Sequence, residues 1–361
     1  MTEIWLGYGP TEVVLDIRAE NLERQVGTEG MGMNSSEIAS KLQTIDLAKP
    51  MEIVILESTK AVQRVVLTLL EICNQRSLPK PRILVDRPNL HLVKNMFSDP
   101  SISISEFDTQ LSTTNLMFVG EVEFDGLFGY STISTKLLRR FGKEQMLEAY
   151  EKKNGNLPHP GEDLSTIEVA KKFTDGFEIS ALEVAANSSG IVDLAIGHPS
   201  STITLGKSFS LTAIKEIGKH RVLFISTGNE TSNDTFNRSL SALWNCASAI
   251  KEEGLAILLA ECKNGLGSEA ILQYVEGRMS LDRLKDPARY VEGMENLLYL
   301  TEIQKQFKIG IVSILPQHYA KDKLALIPFD GTKESMEYVL KTYGERQKAV
   351  IVSDGSRVLL R

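Results

Sequence analysis

The segment from Arg221 to Ala260 constrains the fold most, because it reads as one complete strand-helix-strand unit. Arg221–Ser226 is a β-rich run, Asn233–Glu253 carries helical periodicity, Gly254 reads as the helix stop, and Leu255–Ala260 is the next apolar run. Phe236, Leu240, Leu243, Trp244, Ala247 and Ile250 recur at helical spacing and predict a stripe facing a sheet, while Arg238, Ser241, Asn245 and Ser248 fall on the other face. Two strands joined through a helix run parallel, so the expected fold class is α/β, with largely parallel sheets flanked by helices.

The same alternation extends along the chain. Ile4–Tyr8 and Glu12–Ile17, joined by Gly9-Pro10, read as a hairpin, and Glu52–Leu56, Ile83–Val85, Leu116–Val119 and Ile191–Ile196 read as further strands. A long helix is expected from Asp286-Pro287 through Leu297, Leu298, Leu300 and Ile303, because proline suits the first helical position. It feeds a strand at Ile309–Leu315, and a last helix at Lys333–Tyr343 leads to a strand at Ala349–Ser353. At 361 residues the chain exceeds the roughly 150 of one domain. The polar stretch Lys207–Lys219 is the expected boundary, with a hinge near Gly218, giving domains 1–218 and 219–361 with a cleft between them. Gly27–Ser36 reads as an internal loop, and nothing repeats at a fixed period.

Charge and composition narrow the function classes. The 47 acidic and 40 basic residues give a net charge of −7 and are spread along the chain, which argues against nucleic acid as a partner because phosphate binding needs a concentrated basic face. Cys73, Cys246 and Cys262 are far apart and sit in apolar surroundings, pointing to buried thiols in a reducing cytoplasm. The opening MTEIWLGYG and the shortness of every apolar run predict neither secretion nor membrane insertion.

No phosphate loop is present, and Gly27, Gly30 and Gly32 lack the preceding strand of a dinucleotide loop. The five histidines include no i, i+4 pair and the cysteines no Cys-x-x-Cys, so a thiolate zinc site is not expected. The turn Ser226-Thr227-Gly228-Asn229, between a strand end and a helix start, has two readings: converging amides that hold a carboxylate or phosphate, or an ordinary turn capped by Ser232 or Asn233. The loop Glu261–Gly267 falls at the same sheet edge, so both loops are expected to rim one crevice.

Several segments together resemble the nickel-pincer lactate racemase family: ISTGN at Ile225–Asn229, ILLAECKNGLG at Ile257–Gly267, Ile351-Val352-Ser353-Asp354-Gly355, and the opening Tyr8-Gly9 followed by Glu12–Ile17 and Glu20-Asn21-Leu22. Weaker echoes are Glu57-Ser58-Thr59-Lys60, Val122-Glu123-Phe124-Asp125 running to Gly129-Tyr130-Ser131, and Gly155-Asn156-Leu157-Pro158-His159. The resemblance implies two α/β domains closing over a nickel-bearing pincer nucleotide attached to a lysine. That cofactor accepts a hydride from a 2-hydroxy acid while two histidines exchange the hydroxyl proton. It also implies a small anionic metabolite as the partner.

Carried over by position, the resemblance places Lys60 where the family has an arginine, and keeps Arg87 and Pro88 but puts Asp86 at a catalytic histidine. Asp125 stands at the other histidine, Thr132 and Ile133 at two glycines, Thr135 at the cofactor lysine with Lys136 one place later, and Tyr150 at a nickel ligand. Arg238-Ser239-Leu240-Ser241 replaces a Gln-x-x-Lys. The implied catalytic pair is then Asp125 and Lys136, the binding residues are Lys60, Arg87, Ser131, Gly228, Asn229, Arg238 and Ser241, and the metal donor is Tyr150. Three readings follow: a 2-hydroxy acid racemase or epimerase with the cofactor on Lys136; a cofactor-free pseudoenzyme that binds a small anion or regulates; or metal-independent chemistry with Asp125 and Lys136 as an acid-base pair.

Overall fold

The computed structural model describes residues 2–28, 30–97, 99, 101–107, 111 and 115–361. Two six-stranded sheets organise the chain. The first runs, edge to edge, through Gly190–Gly197, Ser180–Asn187, Leu116–Glu121, Glu52–Ile55, Arg82–Val85 and Ile104–Glu106, and only Gly190–Gly197 is antiparallel to its neighbour. The second runs through Ile327–Phe329, Lys308–Val312, Ile250–Leu259, His220–Ser226, Ala349–Val352 and Leu22–Val26, with every neighbouring pair parallel. The α/β class read from the alternation therefore holds. Central strands such as Ala349-Val350-Ile351-Val352 are apolar on both faces because helices cover both sides of a parallel sheet.

The amino-terminal segment departs from the expected division at residue 218. Strand Leu22–Val26 pairs with Ala349–Val352 at the edge of the second sheet. The hairpin Thr2–Tyr8 and Thr11–Ile17 buries Ile4, Leu6, Leu15 and Ile17 against Val222, Phe224, Ile257 and Val339. Residues 2–26 thus belong with the carboxy-terminal unit. The glycine-bearing stretch after Val26, expected to be an internal loop, is the first passage between units and ends at helix Ser35–Leu42, where Asn34 and Glu37 form a reciprocal cap. The chain returns after helix Leu205–Ala213, so the expected linker Lys207–Lys219 is half helix, and Ile214–Lys215 pairs with Leu359–Leu360.

Two helix boundaries also move. The helix expected over Asn233–Glu253 covers Phe236–Cys246, capped by Thr235, and strand Ile250–Leu259 already contains Gly254. Parallel pairing with His220–Ser226 takes Ile250 opposite His220 and Leu255 opposite Val222, so residues 251–254 form a bulge within the strand rather than the end of a helix. The helix expected from Asp286-Pro287 begins only at Met294, after Gly293 turns the chain at φ +81°; a side chain there would meet Ser268.

Helix Lys143–Glu151 ties the units together. Tyr150 is fully buried within the core of the second unit, its ring 6.4 Å from that of Tyr290, and its hydroxyl donates to the Leu284 carbonyl at 2.5 Å. Burial, and then the charge of Glu295, push its phenol well above the ordinary value. The sequence reading of Tyr150 as a metal donor is therefore corrected: it is a core phenol that would have to break its hydrogen bond and ionise in an apolar setting.

Glu183 is a second buried polar element of the fold. In strand Ser180–Asn187, its Oε1 accepts from Ile133 N at 3.0 Å and from Thr202 Oγ1 at 3.1 Å, and burial raises its pKa to about 7. Two outcomes are expected. Tyr150→Phe lowers unfolding stability by about 1 kcal/mol in urea titrations, because the Leu284 carbonyl is left buried without its donor. The unfolded Glu183 ionises near its ordinary value while the folded one holds its proton to about pH 7, so this residue's contribution to stability falls as pH rises through that window. Glu183→Gln should thus gain thermal stability relative to the parent between pH 5 and 8; equal pH dependence of the two melting temperatures would contradict the assignment.

Candidate ligand cleft between the two sheets

Each parallel sheet has one place where successive connections leave in opposite directions, and in open α/β sheets ligands bind beyond the strand ends at that place. In the first sheet it lies between Glu52–Ile55 and Leu116–Glu121, and in the second between His220–Ser226 and Ala349–Val352. The loops leaving these strands meet. Arg357 pairs with Glu121 at 2.9 Å and Glu230 at 3.5 Å, and the Lys60 amide donates to Glu230 Oε2 at 3.3 Å. Beside this junction lies a cleft of about 730 Å³, walled by both units.

On the first-unit wall, Lys136 projects from helix Ile133–Phe141, and its ammonium is held by Glu57 at 2.7 Å and by the Glu121 carbonyl. Burial works against that charge, but Glu57 and Glu123 outweigh it, and the Lys136 pKa is raised. Glu123 lines the same wall. Burial, then the neighbouring charge of Glu57, lift its pKa to about 8 against the opposing pull of Lys136 and Arg238. The expected catalytic Asp125 is otherwise occupied: Oδ1 accepts from the amides of Leu127 at 2.8 Å and Phe128 at 2.9 Å, while Oδ2 pairs with Arg139 at 2.9 Å. Arg139 also pairs with Glu295 of the second unit, whose Oε2 accepts from the Tyr290 hydroxyl at 2.9 Å.

Arg238 and Ser241 come from the opposite wall, on helix Phe236–Cys246. The Ser241 hydroxyl donates to the Arg238 carbonyl at 2.8 Å, so it offers a ligand only its oxygen. Asn245 lies one turn further on; its Nδ2 donates to the carbonyls of Gly355 at 3.0 Å and Ser356 at 3.3 Å, while its buried Oδ1 has no partner. Arg87, Asp125, Ser131, Lys136, Arg238 and Ser241 all line the cleft.

Lys60, Gly228 and Asn229 do not, which corrects their expected role. Lys60 is exposed on a separate shallow surface with Gln63 and Arg64, because it begins helix Lys60–Gln75 on the far side of the Glu230 contact. The turn at Gly228 packs under the amino-terminal hairpin. Ser226 Oγ donates to the Gly7 carbonyl at 2.7 Å and accepts from Gly228 N at 3.0 Å, and Thr227 N donates to Leu259 at 3.2 Å. Those two amides are spent on the protein, and a side chain at Gly228, where φ is +79°, would collide with Asp354. The second reading of this turn, an ordinary βα connection, is the one that fits.

The residues present do not fit the nickel-pincer group. Thr135, at the tether position, is buried with its hydroxyl donating to the Thr132 carbonyl at 2.9 Å. Lys136 is a paired ammonium rather than a free amine, and Tyr150 is outside the cleft. Among the described residues no cluster of three or more His, Cys, Asp or Glu side chains is placed to hold a metal ion. Sequence reasoning missed Arg139, Glu295, Tyr290 and Asn245. The sequence places Asn245 only on the polar face of its helix, and Arg139 gives no signal beyond a helical basic pair.

No family model matches the sequence, and no curated protein matches it. Solved structures do. The lactate racemase apoprotein from Thermoanaerobacterium thermosaccharolyticum matches over 100% of both chains, with a TM-score of 0.72 at 18% identity. A protein from Thermotoga maritima matches 92% of this chain and 99% of its own, with a TM-score of 0.66 at 11% identity. At these identities the likeness speaks for architecture, and the chain has a lactate racemase-like two-domain α/β fold.

Proposed function

We propose that the protein is a divergent, lactate-racemase-like binder of a small anionic metabolite, held in the cleft between its two units without the nickel-pincer cofactor. One observation carries this reading. Lys136, Arg139 and Arg140 are each matched by a carboxylate, whereas Arg87 and Arg238, which line the cleft from opposite units, form no ion pair among the described residues. Two guanidiniums open to one cavity are suited to a carboxylate or phosphate, which each can grip through paired N–H donors. Three buried free thiols suit a reducing cytoplasm. Among the described residues no helix is long and apolar enough to cross a membrane, and the mixed charge of the cleft argues for a metabolite rather than nucleic acid.

A second reading, a racemase or epimerase of a 2-hydroxy acid, draws on the full-length likeness to the lactate racemase apoprotein and on Glu123. A carboxyl with a pKa of about 8 can exchange protons near neutral pH, a role the sequence had assigned to Asp125.

Arg87→Ala and Arg238→Ala should each weaken binding of pyruvate or L-lactate by about tenfold or more in titration calorimetry, the loss of one charge-assisted contact, with the melting temperature unchanged. Unchanged affinity in both variants would sink the anion site. Protein produced together with the family's cofactor-making enzymes should have an unmodified intact mass and no stoichiometric nickel. An adduct on Lys136 with one nickel per chain, and racemisation abolished by Lys136→Ala, would restore the second reading.

A further inference from the structure

We infer that the ligand of this cleft is an amino acid: its carboxylate on Arg238 and Arg87, its ammonium group received by Glu123 and the unpartnered oxygen of Asn245. This deepens the proposed anion site and rests on it. The first observation is the charge left after pairing. Glu57 is matched by Lys136, Asp86 by Arg140, and Asp125 and Glu295 by Arg139. Among the described residues this leaves Arg87 and Arg238 on one side of the balance, and Glu123, with the more exposed Glu106 and Glu292, on the other. A simple anion would satisfy the arginines and bring no positive charge to Glu123, the one half-buried carboxyl of the cleft that has no cation within ion-pair distance among the described residues.

Asn245 supplies an independent observation. Its side chain is fully buried, and Nδ2 donates to the carbonyls of Gly355 and Ser356, two acceptors that fix the amide orientation. Oδ1 is then the atom left over, a buried acceptor in a cleft-lining residue. Such an atom is expensive to leave unmade and asks for a donor. A ligand carboxylate cannot supply one, whereas an ammonium has three hydrogens to give.

The binding step balances in protons. The groups that act on Glu123 are Glu57 and Glu121, which favour its neutral form, and Lys136 and Arg238, which favour its charged form. With burial added, its pKa of about 8 leaves it mostly protonated at pH 7. Arrival of an ammonium beside it turns the carboxyl into a carboxylate, and the displaced proton goes to solvent.

The test uses the full-length protein and isosteric pairs that differ only in an ammonium or a hydroxyl on the α-carbon: alanine with lactate, serine with glycerate, aspartate with malate, and glutamate with 2-hydroxyglutarate, in both enantiomers. Calorimetry at pH 7 in HEPES and in Tris reads affinity and proton release together. The expected result is at least one pair in which the amino acid binds tenfold or more tightly than the hydroxy acid with release of protons, the preference and the release both being lost in Glu123→Gln. Hydroxy acids binding equally well or better, or an amino-acid preference untouched by Glu123→Gln, would overturn the amino-acid assignment and leave the anion site standing. Failure of every compound to bind would overturn both.

Discussion

Arg139 is the group on which the shape of the cleft depends. It sits on a first-unit helix, holds Asp125 of its own unit, and reaches Glu295 of the other, where Tyr290 satisfies the second carboxylate oxygen. Its guanidinium also lies 5.1 Å from the centre of the Phe128 ring. A charge so enclosed is worth little compared with an apolar replacement of both partners, but removing one partner alone leaves the other buried and unmatched. The two walls are therefore locked at a fixed separation by a network that tolerates no single loss. Arg357, bridging Glu121 and Glu230, does the same at the junction of the two strand-end loops.

These locks have a consequence for chemistry. Residues that resemblance alone would make reactive have been drawn into the scaffold. Asp125 accepts two backbone amides and a guanidinium, Lys136 is neutralised by Glu57, and Tyr150 closes the core. Lys136 and Tyr150 are each stabilised in the protonated state, and the Asp125 carboxylate is occupied by its amides and Arg139, which suits structure and hinders proton exchange. The groups left free to respond to a ligand are different ones: Arg87 and Arg238, Asn245 with its unmatched oxygen, and Glu123 with its proton held near neutral pH.

The fold was legible wherever burial dictates the residue. Strands such as His220–Ser226 and Ala349–Val352 are apolar on both faces and could be nothing else. Leu22–Val26, with Glu23, Arg24 and Gln25, looks nothing like a core strand, because an edge strand needs only its pairing, and so the amino-terminal segment was assigned to the wrong unit. The helix after Ser226 was read too long for a related reason. Apolar spacing at Ala247 and Ile250 continues the helical pattern, but Ala247 falls in a tight turn, Ala247–Ala249, and only the neighbouring strand, absent from local sequence, converts Ile250 to sheet.

The site was legible at the level of segments and not of side chains. Glu123 and Asp125 stand two apart on a short strand, Glu123–Asp125, so position in the resemblance favoured one and geometry the other. Asp125 precedes the tight turn into Leu127 and Phe128, where a short carboxylate is captured by backbone amides; Glu123 pairs across the hairpin with Ser131, and its carboxyl lies within the field of Lys136 and Glu57 with no amide bonded to it among the described residues. Sequence specifies a carboxylate readily, but whether that carboxylate caps a turn or keeps a transferable proton is decided by which amides and charges the fold brings to it. In this chain that decision turns on two residues of hairpin register.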